Sequence, residues 1–389
     1  MNKRLIAPLL GLALLLLATS PPAEAAVSAS NMRAVARFAF PHGTDNAFHG
    51  RYVYAGQADS SEGDPPSQGD GGVHIIDVSG RKPKRVGFVE CSGYQNDVAV
   101  VKAGLIAIGA HHSSCGGGGG HAGVHLVDVG DPRRPRFLGM VHIDGGTHTL
   151  SKVPGHPLIY SSPGGLGPPV EEQIIDVSDP NDPRIVGSFV PNQLGCHDIS
   201  FQTIRGKPYG FCASTNETLI LDVTNPRSPT VVSRVVDGAS FHHYALPSPD
   251  GKLLVVNDEN FLAHECVTGG RGVTGALWIH DISDISHPTI AGWVGPRRGA
   301  VPVSGIADGP EDWCTSHNFN FIPGTRTLVG AWYTGGTSVI DLTDPSAPRE
   351  VAYFQPDDAS AWSSYWYRGR IYVTDYNRGL DVIELTKRP

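Results

Sequence analysis

The stretch HNFNFIPGTRTLVGAWYTGGTSVIDLTDPSAPREVA, residues 317–352, holds four short apolar runs separated by turn signals. Pro-Gly, Gly-Gly and Asp-Pro-Ser-Ala-Pro break it at the points where a chain of β-strands would reverse, because Asx side chains close local turns and proline presets φ. Its second half recurs along the chain. HIIDVSGRKPKRVG (74–87), HLVDVGDPRRPRFLG (125–139), QIIDVSDPNDPRIVG (173–187), LILDVTNPRSPTVVS (219–233) and WIHDISDISHPTIAG (278–292) share the apolar-Asp-apolar strand, the tight turn and the following strand. A last copy, LDVIEL (380–385), stops before its second strand. The aligned acidic positions are Asp77, Asp128, Asp176, Asp222, Asp281, Asp341 and Glu384, spaced 43 to 60 residues apart. Four-stranded repeats of that period predict an all-β, single β-propeller with seven blades.

The missing strand of the last blade is found near the other end of the chain. MRAVARFAFP (32–41) matches PRIVGSFVP (183–191), so the N-terminal strand is predicted to complete the seventh blade. Closing the ring in this way leaves no long sheet edge exposed. The strand motif resembles the LVIVD repeat of exported bacterial and archaeal proteins, and the resemblance extends over residues 26–389. It implies a propeller and leaves the chemistry open, since function lies in sites carried by folds.

The innermost strands of the blades converge on the central channel. They read YQNDVAVV (94–101), GTHTLSKV (146–153), GCHDISFQ (195–202), SFHHYALP (240–247), TSHNFNFI (315–322) and SAWSSYWY (360–367). One column then holds Asn96, His148, His197, His242, His317 and Trp362, with Asn46 or a neighbour from the first blade. Strand alternation favours His242 in the fourth of these strands, whereas alignment on the Pro-Asp-Gly turn favours His243. Imidazole is a common ligand for copper, iron, zinc and nickel, so His148, His197, His242 and His317 are candidate ligands of a transition metal. The competing reading is polar bonding between blades. The axial arrangement is similar to that of carotenoid-cleavage oxygenases and of the selenium-binding protein/methanethiol oxidase group. That resemblance implies iron or copper chemistry.

Loops on the same face add His111, His112, Cys115 and His121 at the end of the second strand of blade 2, and Asp258, Glu259, His264 and Glu265 at the end of the second strand of blade 5, while Asp375 and Tyr376 belong to blade 7. Three long insertions, 57–71, 259–275 and 296–313, fall there too, where binding residues concentrate on rigid scaffolds. Asp258 and Glu259 are the candidate catalytic acid/base residues. Third-strand His74, His125 and His280 are expected to be packing or surface positions.

Composition bounds the rest. Glycine (48) and proline (31) suit a turn-rich protein, and the net charge of −8, without a basic run beyond the N-terminus, argues against a nucleic-acid partner. Residues 1–25 read as a cleavable signal peptide, with Lys3-Arg4, an apolar run over 5–18 and Ala23-Glu24-Ala25. That run is short for a membrane span and no other follows. A periplasmic or secreted location makes disulfides the default for six cysteines. The hairpin frame pairs 91–115, 196–212 and 266–314, with thiolate ligation by Cys196 or Cys314 as the alternative. The combined reading is an exported propeller, a monomer, that binds a transition metal and acts as an oxidoreductase on a small molecule at the loop-rich face. A noncatalytic envelope or surface module for protein or glycan partners is the alternative, and a lyase or hydrolase using the same metal is a third reading. A thiol assay on the denatured, unreduced protein should find no free thiol, and two or more would break the pairing.

Overall fold

The computed structural model describes residues 26–59, 71–91, 93, 95–110, 115, 122–164, 171–260, 275–296 and 313–387. Among them the regular elements are 29 β-strands. They form five four-stranded sheets and one nine-stranded sheet. The first blade runs from Gly43–His49 to Lys84–Glu90, the second from Asp97–Lys102 to Arg136–His142, the third from Thr149–Lys152 to Arg184–Phe189. The fourth runs from Asp198–Ile204 to Thr230–Val235 and the fifth from His242–Pro247 to Thr289–Val294.

The large sheet contains the last two blades. Asn318–Phe321, the innermost strand of blade 6, pairs in parallel with Ala361–Tyr367, the innermost strand of blade 7. Blade 7 is completed by Met32–Phe38, antiparallel to Gly379–Leu385, as the repeat pattern predicts. One strand was not foreseen. Val27–Ser30 pairs with Arg349–Pro356 and adds a fifth strand to blade 6. Asn31, at φ 57°, turns the chain from one blade edge to the next and donates its amide to the Val351 carbonyl at 2.9 Å.

Strand alternation builds the core. In blade 2, Ile106 and Ile108 face blade 1, while Leu105 and Ala107 face blade 3. Each blade therefore has two apolar faces, and seven buried clusters fill the seven interfaces between neighbours. Phe40, Val53 and Ile76 against Tyr372, Leu380 and Val382 close the ring.

The repeated acid ends the third strand of blades 1 to 6 and shapes the turn. Asp77, Asp128, Asp176, Asp222, Asp281 and Asp341 each accept the backbone N–H two residues on, at 2.7–3.0 Å. This is the Asx turn the motif implies. A cation covers most of these acids, as Arg136 does for Asp128 and Arg349 for Asp341.

The glycine in the second half of the motif has a packing reason. Any Cβ on Gly292 would overlap the Pro345 carbonyl in the next blade's turn. At the equivalent place in blade 4, Ser233 bonds the Ile285 carbonyl at 2.6 Å. Gly187, by contrast, has 3.8 Å to its nearest neighbours. Gly292→Ala should therefore cost about 1–3 kcal/mol of stability by overpacking, whereas Gly187→Ala should stay within about 0.5 kcal/mol. Chemical denaturation of the two variants checks this.

The cysteine pairs 91–115 and 196–212 are disulfide-bonded. Cys314 is disulfide-bonded as well. Its expected partner, Cys266, lies outside the described residues. The 1–25 segment also lies outside them.

Candidate metal centre

The first residues of the innermost strands meet at the mouth of the channel. His148, His197 and His317 each donate their backbone N–H to the second strand of their own blade, at Ser162, Ala213 and Ala331, over 2.6–2.9 Å. Equal backbone pairing places the three imidazoles at one level. A strong frame holds His197. The Cys196–Cys212 disulfide pins the preceding residue, and Glu172 accepts the Cys196 N–H at 2.7 Å and the Ser162 hydroxyl at 2.6 Å.

Blade 5 departs from this register. His242 pairs with Asp258 and Ala245 with Val256, so a bulge inserts an extra residue at the start of the strand. His242 is carried out of the channel. Its N–H bonds the Thr215 carbonyl of blade 4, its Nδ1 meets Thr218 Oγ1 at 2.9 Å and its Nε2 lies 3.2 Å from Asp237. Asp237 also meets His280 at 2.8 Å. Burial pushes the Asp237 carboxyl up, but hydrogen bonds from His242 and His280 outweigh it and hold the group well below the usual carboxylate range. His242 thus ties blade 4 to blade 5. The inward place belongs to His243, which corrects the phase that strand alternation favours.

His148, His197, His243 and His317 form a continuous row. His148 Nε2 and His197 Nε2 are 2.8 Å apart, and successive ring centroids lie 4.4, 4.0 and 4.1 Å apart. Glu259, in the loop after Leu253–Asp258, reaches the row, with 3.5 Å to His243 Nε2 and 3.3 Å to His317 Nε2. The donor atoms of His197, His243 and Glu259 all lie within 4.8 Å of one another. This His/Glu group could hold a metal ion.

Electrostatics favours ligation. Burial pushes the His317 imidazole down to about 3, and burial together with His197, His317 and His148 holds His243 well below its ordinary value. Neutral imidazoles keep a lone pair for a metal. His317 Nδ1 lies 2.5 Å from the Trp362 carbonyl, so that nitrogen donates and Nε2 carries the lone pair. Burial raises the Glu259 carboxyl to about 8, against the hydrogen bond donated by Tyr333.

The other predicted residues take different places. Asp258 accepts Ser240 N and Oγ and Phe241 N on one oxygen, at 2.8–3.0 Å, and Gly275 N on the other at 2.8 Å. Its hydrogen bonds brace two loops and leave Glu259 as the acid at the row. Asn96 donates to the Gln57 and Cys91 carbonyls at 2.7 Å and holds a loop. Asn46 bonds Ser363 between blades 1 and 7, while Thr44 and Asp45 line the recess from the first blade. Asp375 caps a turn through Ser360, Asn377 and Arg378. His74 stacks on Phe40 at 4.0 Å, a packing position. His111, His112, His121, His264 and Glu265 lie outside the described residues. Tyr333 and Phe241, unforeseen from the repeats, wall the row beside His317 and His197.

A ring of blades with polar residues converging on a channel defines a β-propeller with an axial site. The LVIVD repeat matches residues 205–237 and 273–295, so this propeller carries LVIVD repeats. The fold is similar to the β-propeller domain of Cps50 (Swd1) from Myceliophteria thermophila, with a TM-score of 0.57 at 11% identity over 92% of this chain and 100% of that one. A chain of the mitotic checkpoint complex is similar at TM-score 0.58 and 11% identity, over 98% of each chain. So is a functionally unknown protein from Desulfotomaculum acetoxidans, at 0.55 and 14%, over 80% of this chain and 84% of that one. No curated protein matches the sequence.

The two adjacent histidines separate by experiment. His242→Ala removes a buried partner of Asp237 and should lower stability by about 3–5 kcal/mol while leaving metal uptake intact. His243→Ala should abolish or strongly weaken metal uptake in a protein that still folds. Equilibrium dialysis and thermal melting of both variants check the assignment.

Proposed function

We propose that this is an exported metal-binding propeller, periplasmic or secreted, in which His148, His197, His243 and His317 with Glu259 hold one transition ion, and that it acts as an oxidoreductase on a small molecule. The observation that carries the reading is a continuous row of four buried imidazoles from four consecutive blades, in which the donor atoms of His197, His243 and Glu259 lie within 4.8 Å of one another. The imidazole-rich donor set suits copper, iron or zinc over calcium or magnesium. A bound copper or iron ion would supply electron transfer or oxygen chemistry, and zinc would supply Lewis acidity.

The chain's own residues fit the first of these better. Asp258 is saturated by hydrogen bonds, and Glu259 is engaged by Tyr333 and two histidines, so neither stands free to activate a water for hydrolysis. Glu259 can serve as a ligand, or can pass its proton to substrate. Trp362 stands 4.7 Å from His317 and faces the recess, which offers a flat apolar wall to a small substrate. The two disulfides are consistent with an oxidising compartment.

Elemental analysis of untagged mature protein should find about one copper or iron per chain, absent from the folded His197→Ala/His317→Ala variant. Electron paramagnetic resonance should show a metal signal that reductant abolishes and air restores. Zinc alone, with no reconstitution by copper or iron, would sink the oxidoreductase reading. No ion at all after reconstitution would leave the noncatalytic envelope module.

A further inference from the structure

One residue further along the innermost strands, the channel changes character. Asp45, Asp97 and Asp198 occupy this second level in blades 1, 2 and 4, with Thr149 and Asn318 between them around the ring, and all five line the same recess as the histidines. Hydrogen bonds fix the carboxylates. Asp97 accepts the Val98 N–H at 2.9 Å and the Leu150 N–H at 2.5 Å, and Asp198 accepts the Ile199 N–H at 2.6 Å. The recess lining contains no lysine or arginine. Beyond the effect of burial, Asp45 and Asp198 push the Asp97 carboxyl up across the channel. Buried carboxylates without a protein cation are costly unless they take up a proton or a cation.

A second observation points to a ligand. Asn318 is 5% exposed, and its Oδ1 has no hydrogen-bond partner among the described residues. Its side chain bonds the Asp45 carboxyl, which leaves the carbonyl oxygen as an orphaned acceptor at the recess. Asp45 Oδ1 is likewise without a partner. An orphaned amide oxygen and three carboxylates lining one recess are a donor set for a cation.

We infer that this level of the channel binds a hard divalent cation of the calcium class through Asp45, Asp97, Asp198 and the Asn318 carbonyl oxygen. The donors are all oxygen, which selects calcium over the imidazole-seeking metals. The site does not depend on a transition metal at the histidines.

Isothermal titration of the full mature chain with calcium chloride tests it, beside titration with terbium chloride read by luminescence. Tyr365 hydrogen-bonds Asp45, and Trp362 lines the recess, so bound terbium has aromatic sensitisers close by. The expected result is one saturable calcium site per chain, of roughly 0.1–1 mM affinity as in extracellular modules, and terbium emission that calcium displaces. Asp45→Asn/Asp198→Asn should weaken calcium by at least about tenfold. His197→Ala/His317→Ala should keep calcium while losing any transition metal, so the two sites fail separately. Terbium read on the unmodified protein covers the case in which the aspartate variant does not fold. Absence of saturation at millimolar calcium, terbium emission indifferent to calcium, or calcium binding unchanged in a folded Asp45→Asn/Asp198→Asn protein would overturn the assignment.

Discussion

Every part of this molecule depends on burying two apolar faces per blade. A four-stranded sheet with alternating side chains has no solvent side when both faces are apolar, so it must sit between two neighbours. A row of such sheets leaves two apolar faces bare at its ends unless it curves into a ring. Pairing of Met32–Phe38 with Gly379–Leu385 completes the last blade, and the cluster around Phe40, Ile76 and Tyr372 seals it to the first. Burial of that final interface is what brings seven innermost strands to a common axis.

The axis is where chemistry becomes possible. Each blade contributes its first strand at nearly the same height, so a polar residue at one repeat position becomes a ring of polar residues. Convergence removes these groups from water, which favours the neutral form of His243 and His317 and leaves carboxylates such as Glu259 and Asp198 protonated to higher pH than usual. Nitrogen donors gather at one level and oxygen donors at the next.

Local exceptions to the repeat decide which residue does what. Bulges at the starts of the innermost strands in blades 1, 5 and 7 move side chains by one position. In blade 5 the bulge sends His242 to Asp237 and Thr218 and brings His243 inward. In blade 1 it places Thr44 and Asp45 at the recess and turns Asn46 towards Ser363. An alignment of repeats carries no register for such an insertion, because it is set by pairing with the next strand and the next blade. The aspartates of the second level were legible in principle: Thr44-Asp45, Asn96-Asp97 and His197-Asp198 follow the axial column directly.

The sequence alone determined the fold, the seven-blade count, the closing strand and the pairs 91–115 and 196–212, because repeat period, turn residues and strand alternation are local properties that a chain carries in its order. It also marked His148, His197 and His317 as residues of one column. Tertiary structure decided the rest. Glu259 and Tyr333 meet beside the histidines from blades 5 and 6, and Asp258, its neighbour, is spent on bracing loops. These outcomes rest on contacts between blades far apart in sequence and on single-residue bulges, and such contacts exist only once the ring has closed.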